Sequence, residues 1–190
     1  MGNLSTFFPA ASSTNVLEIV QGTCDGRDVI VNSGTYTLED VTTSQSLSTS
    51  HADITGSSIA YTPPAATKYL SYRFDFMFDH ADHSGISNFK INVDGTDVLK
   101  SRKTFAGNYS GGTHHHGNHV ESVFYVFDLT ASSDDVANGK FYNWNSTKTI
   151  KVRGREHSGS YEGIIHYNVY YSTLGISQYT TPNLTLIAYS

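Results

Sequence analysis

The stretch "KYLSYRFDFMFD", residues 68–79, constrains the chain more than any other. Leu70, Tyr72, Phe74, Phe76 and Phe78 alternate with Ser71, Arg73, Asp75 and Asp79, the period of two that gives a half-buried strand with an aromatic inner face. Short runs of the same kind fill the chain from residue 16 onward. "VLEIV", "DVIVNSG", "TYTLEDV" and "SSIAYTPP" precede it, each closed by Gly, Asp, Asn or Pro. In "NFKINVDGTDVLKSRKT", Phe89, Ile91 and Val93 face one way and Asp94-Gly95 supplies the positive-φ turn that tight hairpins favour.

"HVESVFYVFDL" (119–129) differs, with Val120, Phe124 and Val126 on one face and Val123, Tyr125, Phe127 and Leu129 on the other. A strand apolar on both faces is expected to be buried on both. Residues 130–147 hold helix-capping Ser and Asp before a stop at Gly139, which leaves room for one or two short helical turns at most. "TKTIKVRGREH", "SYEGIIHYNVYYS" and "LTLIAY" complete a total of about ten strands, with no internal repeat. The fold class predicted is all-β, a jelly-roll β-sandwich. Thirteen Tyr and ten Phe agree with this, and 190 residues at 38% hydrophobic suffice for one core. The organisation expected is an N-terminal arm over residues 1–15 and a single jelly-roll domain over 16–190.

The aromatic load suggests self-association. The stretch 161–171 carries Tyr161, Ile165, Tyr167, Val169 and Tyr171 on one face and Ile164, His166 and Tyr170 on the other. Together with 119–129 this exceeds what one sandwich core consumes, and Tyr is favoured where a ring is buried and a hydroxyl must stay satisfied. Tyr125, Phe127, Tyr167, Tyr170 and Tyr171 are therefore the expected subunit contacts of a closed cyclic homo-oligomer. In the arm, the adjacent Phe7 and Phe8 are candidates for docking onto a partner.

A formal net charge of −5 with 15% charged residues offers no basic field for nucleic acid, so none is expected as a partner. The start "MGNLSTFFPAASSTN" has no basic and apolar leader pattern, and no run nears the roughly 18 apolar residues of a membrane span, so neither classical secretion nor membrane anchoring is expected. The single Cys24 excludes an intrachain disulfide and reads as a turn or edge thiol.

Four of the nine histidines fall within "GGTHHHGNH", residues 111–119. His114-x-His116 followed by Glu121 has the spacing of the first cupin motif, in which two His on one strand face and a later Glu close a divalent-metal site. The glycine spacing is off and the second cupin motif is missing, so no cofactor is expected; a divalent metal on His114, His116 and Glu121 is the alternative. A second cluster, "HADHSG" from His80 to His83, would add ligands if the two met in space. G-x-S-x-G, H-E-x-x-H and P-loop motifs are absent, and no enzymatic activity is expected. Trp144, Asn143, Asn145 and Asp134, read as exposed loop residues, have the chemistry of a sugar site.

"VLEIVQGTCDGRDVIVNSGTYTLEDVT", "ADITGSSIAYTPPAATKYLSYRFDF" and "FKINVDGTDV" together resemble virion proteins of tailed phages infecting marine bacteria, cyanophages in particular. The resemblance covers residues 16–105 and extends loosely through "TKTIKVRGREH" and "PNLTLIA" to the end. It implies a trimeric jelly roll of the tumour-necrosis-factor type, fibre-like or on the capsid surface. A short chain with its own Met1 and no shaft is then expected to be a separate virion subunit. It would be a homotrimer attached to other virion proteins through Phe7 and Phe8, with distal loops available to host-surface glycans.

Overall fold

In the computed structural model, which describes residues 15–80, 85–106, 117–168 and 179–190, strands form where branched and aromatic residues alternate and stop at turn formers. β1 (Val16–Thr23) ends in the "GTCDG" turn, and β2 (Asp28–Val31) and β3 (Gly34–Thr37) form a small separate hairpin. β4 (Gln45–Ser46), β5 (Ala52–Asp53) and β6 (Ile59–Tyr61) are short. β7 (Tyr69–His80) is the long aromatic strand, with Leu70, Tyr72, Phe74, Phe76 and Phe78 all inside. β8 (Ser87–Val93) and β9 (Thr96–Phe105) are the expected hairpin, its Asp94 and Gly95 both at positive φ (47° and 88°). β10 (Asn118–Asp128), β11 (Thr130–Asp135), one 3₁₀ turn at Val136–Asn138 and β12 (Lys140–Tyr142) follow. β13 (Lys148–Glu156), β14 (Gly163–Ile165) and β15 (Asn183–Tyr189) close the order.

The pairing is nested. β1 pairs β15, β5 and β6 pair β13, β7 pairs β10, and β8 pairs β9, so the chain behaves as one long hairpin whose two arms run alongside each other. Two further pairings, β15 with β7 and β13 with β8, roll that hairpin into two facing sheets. One has the central order β1-β15-β7-β10 and the other the order β5-β13-β8-β9. This is the connectivity of a jelly roll.

Aromatic rings fill the space between the sheets. Phe76 and Phe78 of one sheet meet Phe89 of the other, at centroid separations of 5.3 and 6.1 Å. Gly154 makes room for this: a Cβ there would lie 2.7 Å from the Phe89 ring, which explains a glycine on the inner face of β13. A second cluster, Phe127, Phe141 and Trp144, closes one end. The turn in "ITGSSIAYTPP" is stitched to β13 by Ser57, whose hydroxyl donates to the Ile54 carbonyl and accepts from the Val152 N–H, while the Tyr72 hydroxyl donates to the Ser57 carbonyl.

Several local expectations are corrected. Within the chain β10 is buried on one face only: Val123 and Phe127 are inside, whereas Val120, Phe124 and Val126 are 66%, 47% and 45% exposed. The segment from residue 161 does not run as one strand. β14 is three residues long, and His166 at φ 60° ends it, so that the neighbours Ile165 and His166 are both buried. Cys24 is fully buried rather than at an edge; its thiol lies 3.1 Å from the Gly56 carbonyl, and burial pushes its pKa up to about 12.

Candidate functional site: an apolar sheet face and a histidine cluster

Antiparallel register puts directly opposed residues on the same face, so the outer surface of the β1-β15-β7-β10 sheet can be read row by row. One row runs Val126, Ser71, Ile187, Ile19, and the next runs Phe124, Arg73, Thr185, Gln21. Tyr69 and Tyr189 border the first row, and Val120 stands opposite Met77 beyond the second. Ile19 and Tyr69 are 47% and 42% exposed. Between the rows a shallow depression of about 490 Å³ is lined by Phe124, Ile187, Tyr189 and the ion pair Arg73–Asp75. The face is apolar with its central charges matched, which leaves it free to meet a surface of the same kind.

Three of the residues expected as subunit contacts, Tyr125, Phe127 and Tyr167, are among the described residues. Phe127 is fully buried against Phe141 and Trp144. Tyr125 lies half-buried over Gly139, with its hydroxyl donating to the Asn138 carbonyl at 2.9 Å. Tyr167 is half-buried and forms an isolated bridge with Tyr179. Tyr170, Tyr171, Phe7, Phe8, His114 and His116 lie outside the described residues. The exposed apolar residues of β10 were visible in the sequence as its second apolar face; which face turned inward depended on the partner strand.

The two histidine regions do meet in part. His80, ending β7, and His119, opening β10, stand at one end of the sandwich with their Nε2 atoms 2.9 Å apart. The His119 Nε2 is also 2.9 Å from Glu121 Oε1. Burial raises the Glu121 pKa, and the adjacent His119 partly offsets this. The His80 Nδ1 faces the Gly85 carbonyl at 3.2 Å, and in that contact Nδ1–H donates. These separations are those of a hydrogen-bonded chain. Ligands on a tetrahedral zinc ion, with bonds of about 2.0–2.1 Å, stand farther apart, at roughly 3.3 Å. Among the described residues no group of three or more His, Cys, Asp or Glu is arranged to hold a metal ion.

The residues read as a sugar site are also placed differently. Trp144 is only 5% exposed, donates its indole N–H to the Tyr61 carbonyl at 3.3 Å and packs in the core, so its ring face is not offered to a ligand. Its edge, with Asn143, Asn145, Pro63 and Pro64, lines a pocket of about 430 Å³. Asp134 is turned to the Tyr142 N–H.

No helix among the described residues is long and apolar enough to cross a membrane. No protein-family model matches the chain, and no curated protein matches it. Solved structures with some likeness include the CBM36-1 domain of a multidomain xylanase from the hindgut metagenome of Trinervitermes trinervoides, 9% identical over 90% of this chain and 96% of that one, with a TM-score of 0.33. The infectious bursal disease virus Gx strain structure is 15% identical over 91% of this chain and 36% of that one, with a TM-score of 0.35. The CBM35 from Paenibacillus barcinonensis is 13% identical over 77% of this chain and 95% of that one, with a TM-score of 0.24. At identities and TM-scores this low, none of these likenesses carries an argument about what this chain binds or builds.

Proposed function

We propose that the chain is a non-enzymatic structural subunit of a phage virion surface, as capsid decoration or tail-associated fibre protein, assembling as a homotrimer. The single observation behind this reading is the apolar outer face of the β1-β15-β7-β10 sheet. Ile19, Val120, Phe124 and Val126 are each about half exposed or more, and covering what remains of such a side chain gains about 1 kcal/mol each. Three symmetry-related copies would bury this face in a closed assembly, and the matched pair Arg73–Asp75 leaves no net charge to oppose it. The sequence resemblance to virion proteins of tailed marine phages supports the setting. The arm with Phe7 and Phe8 would then dock the trimer to other virion proteins, and distal loops would meet host-surface glycans.

Light scattering on the purified chain is expected to give three times the 20.8 kDa chain mass, and the double variant Phe124→Asp, Val126→Asp is expected to give one chain mass with an unchanged far-UV spectrum. A parent protein that is strictly monomeric overturns the assembly. Peptide mass spectrometry of purified particles of the phage encoding the chain tests the setting, and absence from the particle would refute it.

A further inference from the structure

A net charge of −5 conceals an uneven distribution. Eight of the twelve lysines and arginines, Lys90, Lys100, Arg102, Lys103, Lys148, Lys151, Arg153 and Arg155, lie on β8, β9 and β13, three strands of the second sheet. The register brings part of them together: Arg153 stands opposite Lys90, and Arg155 opposite Asn88, which in turn faces Thr104. Three carboxylates offset part of this charge, Asp94 lying 3.6 Å from Lys148. Asp97 takes Lys90 at 2.5 Å and approaches Arg153 at 3.7 Å, and Asp53 takes Lys151 at 2.6 Å and approaches Arg153 at 3.4 Å.

Cations outside these pairs, together with the Asp97-paired Lys90, surround a cavity. Lys90, Arg102, Lys103 and Arg155, with His51 and the exposed Leu99, line a pocket of about 330 Å³. Among the described residues the enclosed Arg155 Nε has no hydrogen-bond partner, and its Nη1 lies at a long 3.4 Å from the Thr49 carbonyl. Partial burial, and then the cations Lys90, Arg155 and Arg153 around it, lower the pKa of His51 from its ordinary value. The Arg155 guanidinium beside Lys90 and Lys103, with Arg102 held by its Nε on the Leu99 carbonyl at 2.7 Å and an apolar wall at Leu99, suits an oxyanion carried on a ring that has an apolar face. This sheet is the far side of the sandwich from the apolar face, so it stays open when that face is covered.

The geometry points to this pocket as a binding site for an anionic sugar residue, one bearing a sulfate ester or a uronate carboxylate, within an acidic surface polysaccharide. Single-stranded nucleic acid fits less well, because strand binders offer exposed aromatic rings for base stacking, and the aromatic residue at this pocket, Phe89, is buried. The inference deepens the glycan-contact part of the proposed function without resting on the trimer.

Isothermal titration calorimetry on the full chain tests it, with dextran sulfate and polygalacturonate as acidic probes, neutral dextran as a control and a thymidine oligonucleotide as the competing polyanion. Binding is expected to at least one acidic polysaccharide and to weaken on raising salt from about 50 to about 200 mM, with neutral dextran giving no heat. The variant Arg102→Ser, Lys103→Ser changes two exposed side chains and is expected to lose at least tenfold in affinity while keeping the parent melting temperature. The control Lys68→Ser, Lys140→Ser, which removes the same charge elsewhere, is expected to bind as the parent does. Equal losses in both double variants, binding to the oligonucleotide alone, or no binding to either acidic polysaccharide overturns the site. The light-scattering mass is read separately, so a monomer that binds and a trimer that does not are distinguishable outcomes.

Discussion

Glu18, only 6% exposed, is a carboxylate inside the sandwich whose neighbours define a measurable energy. Its Oε1 accepts from the Tyr61 hydroxyl at 2.9 Å and from the Ser33 hydroxyl at 2.6 Å, and its Oε2 accepts from the Ser33 N–H at 2.9 Å. Tyr61→Phe keeps the buried ring and its 4.9 Å packing on Tyr36 and deletes only the hydroxyl. Losing one charge-assisted hydrogen bond in a buried setting costs about 2 kcal/mol. For a domain of this size that corresponds to a fall in Tm of about 4–8 °C. Ser33→Ala removes the second donor to the same oxygen and should cost about 1–2 kcal/mol, since the backbone N–H still serves Oε2. The double variant strips Oε1 of both donors and is expected to cost more than the sum of the single changes, by about 1 kcal/mol. Urea unfolding at one fixed protein concentration measures all three, because subunit association would otherwise shift apparent stability. A Tyr61→Phe cost below about 0.5 kcal/mol, or strict additivity, would show that the carboxylate does not depend on these donors and refute the reasoning.

Two other outcomes follow from buried geometry. His166, fully buried with its Nε2–H donating to the Thr55 carbonyl at 2.9 Å, has its pKa lowered from 6.5 to about 4 by burial. Between those values the unfolded chain binds a proton that the folded chain does not, so stability is full above pH 6.5 and falls by about 3 kcal/mol as pH drops toward 4. His166→Gln, which can donate to the same carbonyl and does not titrate, should show a shallower loss between pH 7 and pH 4 in denaturant titrations; parallel curves would contradict this. Gly139 sits at φ +68°, and a Cβ there would lie 2.3 Å from the Tyr125 ring. Gly139→Ala should therefore destabilise by about 2 kcal/mol, and Tyr125→Ala in the same chain should recover part of that loss by removing the clash. A neutral Gly139→Ala variant would remove the case for a required glycine.

Much of the architecture was legible because strand formation is local. The two-residue period of 68–79 and the Asp94-Gly95 turn depend on side-chain alternation and positive φ, and both are found as expected. The single helical turn ending at Gly139 is equally local. Within its described part, the strand expected over 161–171 is cut short because Tyr and Ile favour strands wherever they occur, while the positive φ at His166 ends β14 after three residues. Trp144 looked like an exposed loop residue because nothing near it in sequence shows that Phe127 and Phe141 close over it.

By itself, then, the sequence determined the strands, the hairpin and the all-β class, since each follows from residues within about ten positions of one another. Only the tertiary structure decided which side of each strand became surface. Nested pairing turned Val120, Phe124 and Val126 outward and set His80 against His119 across 39 positions. It also set Lys90 opposite Arg153, and Asn88 opposite both Arg155 and Thr104, so that cations from distant strands share one face of the second sheet. Net charge and periodicity are sums along the chain, whereas a surface depends on how distant strands are registered, and that register is set by burial of the shared aromatic core.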